Sequence, residues 1–198
     1  IISKSIVPDV SLIDPLCTTT MNADLTSTTG MDALTHAFEA YVSNASSPMT
    51  DVLALSAIEY ITEHLVKAYH NPLDMDARGG MMVGSLFAGL AFSNASLGIV
   101  HAMAHALGGL LDLPHGLCNA LILEHSISFN FSAVPERYRK IAEIILKTPC
   151  TTQSYEWLEG QLQQYLHNLR HALGLGDTIE TKQADDRIIS QLALVALQ

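Results

Sequence analysis

Apolar and polar positions follow a helical period through most of the chain. Residues 1–15 are different, because they are rich in β-branched residues and contain Pro8 and Pro15, which predicts an extended segment. After that segment few stretches show the strict apolar/polar alternation of a half-buried strand. The sequence therefore predicts an all-α domain over residues 16–198, preceded by a strand or linker at 1–15.

Start and stop signals divide the helical part into eight predicted helices. Ser, Thr or Asn before an apolar periodic stretch, and Pro in a first turn, are typical helix N-termini. The predicted helices run from Thr28 or Thr29 to about Asn44, from Ser47-Pro48 to Tyr69, from Asn71-Pro72 to about Phe92, from about Leu97 to Leu111, onward from Pro114, onward from Pro135, from about Thr152 to Leu173, and from Lys182 to Leu197.

Composition indicates one compact domain. The chain has 198 residues, of which 48% are hydrophobic and 15% charged, enough for a core and too little charge for disorder. The apolar sequence from Met81 to Leu113 is interrupted by polar residues before it reaches the ~18 positions of a membrane span, so we interpret it as core. The glycine pairs Gly79-Gly80 and Gly108-Gly109 lie in helical sequence and predict close helix packing.

Charge and cysteine content narrow the partners and the compartment. Ten basic and twenty acidic residues give a formal charge of 10 − 20 = −10, which repels phosphate backbones and anionic lipids. We therefore expect neither a nucleic acid nor a membrane as partner. The three cysteines are far apart and form no CxxC motif, which favours a reducing cytoplasm over a disulfide framework. The opening IISKSIVPDV does not fit a signal peptide.

Histidine and aspartate side chains form two short sets inside apolar helical sequence. Asp32 and His36 lie four residues apart, as do His101 and His105, and His115 follows a proline. Four helical steps return a side chain to within about 40° of its first direction, so both members of a pair can face one ion. Imidazole and carboxylate are ligands of borderline divalent metals, and an unpaired polar group in apolar surroundings is costly. The two sets together favour a metal site over core histidines.

The other histidines do not share this setting. His167 and His171 are also four residues apart, but polar neighbours predict a solvated face: Gln163, Gln164, Asn168 and Arg170. Three further histidines have no partner at ligand spacing and are assigned structural roles: His64, His70 and His125.

The motif DALTHAFEAY, followed by HxxxHxxGxxxxxPHG, resembles the C-terminal half of the iron-containing, or group III, alcohol dehydrogenases. In this chain the second motif consists of His101, His105, Gly108, Pro114, His115 and Gly116. The resemblance extends from residues 5–15 through residues 119–130 and implies a helical bundle of the dehydroquinate synthase-like type. Ala106 stands where the family usually has Pro, a difference expected to change local helix geometry more than metal ligation.

The resemblance also implies the roles of site residues. The metal, Fe(II) with Zn possible, is held by Asp32, His36, His101 and His115, and His105 lies near the nicotinamide and takes part in proton transfer. NAD or NADP binds to an N-terminal α/β domain with a GGGS loop. This chain has no such loop, so cofactor-binding residues are unknown. The implied protein is a homo-oligomer that interconverts small alcohols and aldehydes, and this half alone is expected to fold but to be inactive.

Two other functions stay open at this point. A metal-dependent hydrolase or lyase would use the same ligands but needs a general base, for which Glu39 is the nearby candidate. We expect Glu39 rather to form hydrogen bonds to a ligand or to carry a surface charge. The chain would otherwise be an inert metal-binding or oligomerisation module. Measuring NAD(H) binding separates these possibilities.

Overall fold

The computed structural model describes residues 8–176 of the chain. This part forms seven α-helices and a short 3-10 helix, and it contains no strand. The 3-10 helix is Pro15–Thr18, and the α-helices are α1 Ala23–Val42, α2 Pro48–His70, α3 Met75–Ala95, α4 Ile99–Leu111, α5 His115–Phe131, α6 Pro135–Leu146 and α7 Tyr155–Ala172. The all-α prediction is confirmed, and the predicted helix from Lys182 to Leu197 lies outside the described residues.

The described part of the N-terminal segment is irregular up to Asp14. Residues 8–14 have no helix or strand, and the 3-10 helix begins at Pro15, inside the predicted extended segment. The side chain of Asp14 starts this turn, because it accepts a hydrogen bond from the backbone N–H of Leu16 at 2.9 Å. Residues 1–7 lie outside the described part.

Helix α1 begins earlier than predicted. Asn22 caps it by accepting a hydrogen bond from the backbone N–H of Leu25 at 2.8 Å. The predicted caps, Thr28 and Thr29, lie inside the helix, and their hydroxyls donate to the carbonyls one turn earlier, of Asp24 and Leu25 respectively. Thr at an interior helical position makes this bond as readily as it caps, so the prediction of the helix start was wrong.

The other helix starts match the prediction to within a few residues. The capping box at Ser47 starts α2 as predicted. Helix α3 is capped by Asp74 instead of opening at Asn71-Pro72, because Asn71 closes the turn that ends α2. Helix α7 starts after Ser154 and not at Thr152, since the Ser154 side chain accepts from the N–H of Trp157.

Helix α1 lies at the centre of the domain and packs against α2, α3, α5 and α6, while α4 packs on α5. The largest fully buried side chains include three from α1 and three from α2: Met31, Leu34, Phe38, Ile58, Ile61 and Leu65. No single helix of the described part is long and apolar enough to span a membrane; α3 and α4 meet that criterion only as a pair, bent by 103°.

The glycine pairs pack closely at one residue each. A Cβ on Gly80 would lie 2.1 Å from the His64 ring, so α2 and α3 approach there as predicted. A Cβ on Gly108 would lie 3.2 Å from the carbonyl oxygen of Leu113, in the loop that follows its own helix. Gly79 and Gly109 have no atom within 4 Å of that position, and for them the prediction was wrong.

Candidate metal centre

Three helices bring the predicted ligands to one place. Asp32 and His36 lie on α1, His101 lies in the first turn of α4, and His115 is the first residue of α5. The Oδ1 atom of Asp32 is 3.3 Å from His115 Nε2, 3.5 Å from His101 Nε2 and 3.8 Å from His36 Nε2. The contacts of Asp32 with His115 and His101 join helices far apart in sequence, so packing creates the cluster.

The separations fit a divalent cation. With metal–ligand bonds of about 2.1 Å, neighbouring ligands of a tetrahedral ion lie about 3.4 Å apart. One ligand atom from each of Asp32, His101 and His115 lies within 4.8 Å of the other two. Three imidazoles and one carboxylate suit Fe, Zn, Co and Ni alike. This donor chemistry and spacing fit a bound divalent metal and do not choose among those metals.

His36 stands at the margin of this group. Its ring stacks on Phe92 at 4.3 Å and on His101 at 4.5 Å between centroids. It is near Asp32 but does not belong to the compact group of three. The assignment of His36 as the fourth ligand stays a prediction.

Glu39 orients His101. Its Oε2 accepts a hydrogen bond from His101 Nδ1 at 2.6 Å, and its Oε1 accepts one from the N–H of Val100 at 2.7 Å. A Cβ on Gly98 would lie 2.8 Å from the same Oε1, so a glycine leaves room for the carboxylate at the start of α4. With its Nδ1 donating to Glu39, His101 presents Nε2 to the cluster, an orientation typical of metal-binding histidines. Both oxygens of Glu39 are engaged, which agrees with the expected hydrogen-bonding role.

A close helix contact positions His115. A Cβ on Gly116 would lie only 2.0 Å from the carbonyl oxygen of Thr28, so the start of α5 touches the backbone of α1. Pro114 precedes the helix, and its carbonyl accepts from the N–H of Cys118 at 3.1 Å. The glycine after His115 thus allows the approach that places His115 beside Asp32.

The electrostatics differ among the four side chains. Burial raises the pKa of Asp32, but a hydrogen bond with His101 and the charges of His36 and His115 outweigh it, so the pKa lies below its usual value. Burial lowers the pKa of His36 to about 4. Burial also opposes protonation of His101, yet hydrogen bonds with Asp32 and Glu39 raise its pKa to about 9. Burial lowers the pKa of His115. Of these three imidazoles, only His101 has a pKa raised above its usual value.

His105 lies beside the cluster and outside it. The side chain is exposed, and its ring stacks on the His115 ring at 4.9 Å between centroids. The centroid of the His101 ring is 6.1 Å away. His105 therefore faces the same region as the donor atoms but is not in the group of three.

The sequence analysis missed Asn119. This side chain is fully buried on α5, and its Nδ2 donates a hydrogen bond to Asp32 Oδ1 at 2.6 Å. The same nitrogen is 3.1 Å from His115 Nε2 and 3.3 Å from His101 Nε2. A signal was present in the sequence, because Asn119 follows His115 by the same four residues that separate Asp32 from His36.

Comparison with known proteins identifies relatives of this chain. The family model described as "Fe-containing alcohol dehydrogenase family, C-terminal" matches residues 26–198. The 1,3-propanediol dehydrogenase of Klebsiella pneumoniae is 49% identical over 145 residues, which are 73% of this chain and 38% of that protein. The NAD-dependent methanol dehydrogenase of Bacillus methanolicus is 43% identical over 145 residues, with the same coverage of 73% and 38%.

A solved structure shows the same helical arrangement. The crystal structure of a 1,3-propanediol oxidoreductase superimposes with a TM-score of 0.88 at 40% identity, over 93% of this chain and 48% of that one. The chain thus spans half or less of the length of these proteins. With most of its residues matched by the family model, the chain belongs to the Fe-containing alcohol dehydrogenase family and corresponds to its C-terminal region.

Proposed function

We propose that the chain is the metal-binding half of an iron-dependent, NAD(P)-dependent alcohol dehydrogenase that interconverts small alcohols and aldehydes. The observation that carries the proposal is the convergence of ligand atoms of Asp32, His101 and His115, from three helices, on one point. The names of the relatives support the substrate class, since one acts on 1,3-propanediol and another on methanol. The NAD dependence of the methanol dehydrogenase of Bacillus methanolicus supports the nicotinamide cofactor.

The proposed ligands are Asp32, His36, His101 and His115. A divalent ion held by them supplies positive charge beside the reacting oxygen of an alcohol or aldehyde. The Asp32 carboxylate offsets part of that charge, and the Glu39 hydrogen bond keeps the His101 ring in a binding orientation. Iron is proposed because of the family, while the donor set also accommodates zinc.

The chain's other contribution is proton transfer by His105. Its exposed imidazole beside the His115 ring can carry a proton between the cleft and solvent. The nicotinamide site is proposed to involve the part of the relatives that this chain does not cover, because the described residues contain no glycine-rich loop between a strand and a helix.

The proposal is tested in a two-domain protein in which this chain is joined to a dinucleotide-binding domain. We expect chelation to abolish alcohol-dependent reduction of NAD(P)⁺, and Fe(II) or Zn(II) to restore it. His105→Ala is expected to keep the metal and lose activity, while His101→Ala loses both. Metal loss in His105→Ala, at the level of His101→Ala, would reassign His105 as a ligand.

Two results would favour the other functions. Metal-dependent hydrolysis that needs no nicotinamide would indicate a hydrolase. Metal binding without NAD(H) binding or any activity in that two-domain protein would indicate an inert module.

A further inference from the structure

The side chain of Asn119 lies among the donor atoms of the metal centre. Its amide nitrogen is within 3.3 Å of one atom each from Asp32, His101 and His115. The residue is fully buried, and its three neighbours come from α1, α4 and α5. A carboxamide at this point touches every member of the compact group.

Hydrogen-bond accounting sets Asn119 apart from an ordinary core residue. The carboxamide oxygen is buried and has no hydrogen-bond partner among the described residues. Leaving a buried acceptor without a partner is costly, so an apolar side chain of similar size would suit a purely structural position better. The amide nitrogen, in contrast, makes a short bond to a charged oxygen. We infer that this short bond to Asp32 offsets the free-energy cost of the carboxamide oxygen that has no partner.

The bond to Asp32 is compatible with metal binding at that oxygen, whereas the contacts of the same nitrogen with His115 and His101 Nε2, at 3.1 and 3.3 Å, must lengthen when an ion takes the single lone pair of each imidazole nitrogen. A carboxylate oxygen has two lone pairs, so Oδ1 can accept the Asn119 N–H with one and face an ion with the other. The bond also restrains rotation of the carboxylate, which is one-quarter exposed. His115 and Asn119 lie on one face of α5, so a single helix supplies both a ligand and the restraint.

We propose that Asn119 is a positioning residue of the metal centre, whose side-chain N–H holds Asp32 Oδ1 in the direction that binds the ion and so sets metal affinity. This inference rests on the metal site of the proposed function. It assigns no catalytic contact to Asn119, which acts through Asp32.

The test measures Co(II) binding to the purified chain by titration and by the visible absorption of the bound ion, which reports ligand geometry. Asn119→Ala is expected to lower Co(II) affinity about 10–100-fold, the range for residues that orient metal ligands, and to change the spectrum. Asn119→Leu keeps the number of side-chain heavy atoms and the branch at Cγ, and it is expected to have the same effect, which covers the case in which the alanine variant does not fold. Ser126→Ala removes another buried polar side chain of α5 and should leave affinity and spectrum unchanged.

The outcomes separate this inference from the proposed function. If folded Asn119→Leu or Asn119→Ala binds Co(II) within twofold of the unchanged chain and with the same spectrum, the inference is overturned and the metal site stands. If the unchanged chain itself binds neither Co(II), Zn(II) nor Fe(II), both the inference and the proposed function fail.

Discussion

Two pairs of side chains in this molecule share a spacing and differ in their surroundings. On α1, the Nε2 atom of His36 lies 3.8 Å from the Oδ1 atom of Asp32. On α7, the ring centroids of His167 and His171 lie 4.5 Å apart. Imidazoles from α4 and α5 meet the first pair at Asp32. Within residues 8–176, the group of three potential metal ligands consists of Asp32, His101 and His115. The α7 histidines do not belong to it.

The difference shows that four-residue spacing alone does not make a metal site. Spacing places two side chains on one helical face, but further ligands must come from other elements. Beside His167 lies the guanidinium of Arg170, with Nη2 3.4 Å from His167 Nδ1. A positive charge at that distance opposes binding of a cation, whereas α1 offers a carboxylate to the approaching imidazoles.

The largest expected difference between the two pairs is in metal affinity. His101→Ala should weaken Zn(II) or Co(II) binding by more than the ~10–100-fold seen on removal of an orienting residue, because a ligand atom itself is lost. His171→Ala should leave affinity unchanged. Titration of both variants with the same metal checks this, and equal losses would show that α7 contributes to the site.

The pH dependence of metal affinity should reflect one displaced proton. The pKa of His101 is about 9, so an ion binding its Nε2 must displace a proton below that pH. His36, with a pKa of about 4, is already neutral in this range, and the pKa of His115 is also lowered. We expect about a tenfold rise in affinity per pH unit from 7 to 9. Dissociation constants at three pH values would give the slope, and a slope of zero or two would contradict it.

Removing the charge of Glu39 should have a smaller effect. Glu39→Gln weakens the hydrogen bond to His101 Nδ1, and we expect metal affinity to fall about 10-fold, at the lower end of the range for orienting residues. Glu143→Gln is a matched control, since Glu143 also accepts from one backbone N–H, of Cys150, and from one side chain, of Lys140. An equal loss in both variants would mean that general destabilisation, and not His101, explains the change.

The smallest predicted effect concerns stability at two glycines. Gly116→Ala would force its Cβ against the Thr28 carbonyl, and overpacking of this kind costs about 1–3 kcal/mol of unfolding free energy. Gly160→Ala on α7 meets no atom within 4 Å and should stabilise by about 0.5–1 kcal/mol. Denaturant unfolding in the presence of chelator measures both. Stabilisation by Gly116→Ala would show that α5 does not depend on close contact with α1.

Local signals were reliable where one side chain decides a helix boundary. Ser47 and Pro48 predicted the start of α2, and Pro135 predicted the start of α6. The prediction was wrong at Thr28 and Thr29, because a threonine inside a helix and a threonine at its start satisfy their hydroxyls with similar local bonds. Which bond forms depends on the competing cap at Asn22, several residues away.

In the candidate site, too, the sequence indicated relations within one helix but not contacts between helices. The sequence indicated that Asp32 and His36 share a face, because that relation lies within one helix. It did not indicate the contacts of Asn119, whose partners are 87 residues away at Asp32 and 18 residues away at His101. The motif HxxxHxxGxxxxxPHG drew attention to histidines, and the four-residue spacing between His115 and Asn119 was overlooked because an amide is not a usual metal ligand.

The sequence by itself determined the helical pattern and the pairs of metal-binding side chains, because both follow from interactions within a few residues. The tertiary structure alone decided which pair is joined by potential ligands from other helices. Asp32 meets His101 and His115 because α4 and α5 pack together beside α1, and because Gly116 lets α5 touch the α1 backbone. Those approaches depend on how whole helices bury their apolar faces, a property of the packed core that no local sequence window contains.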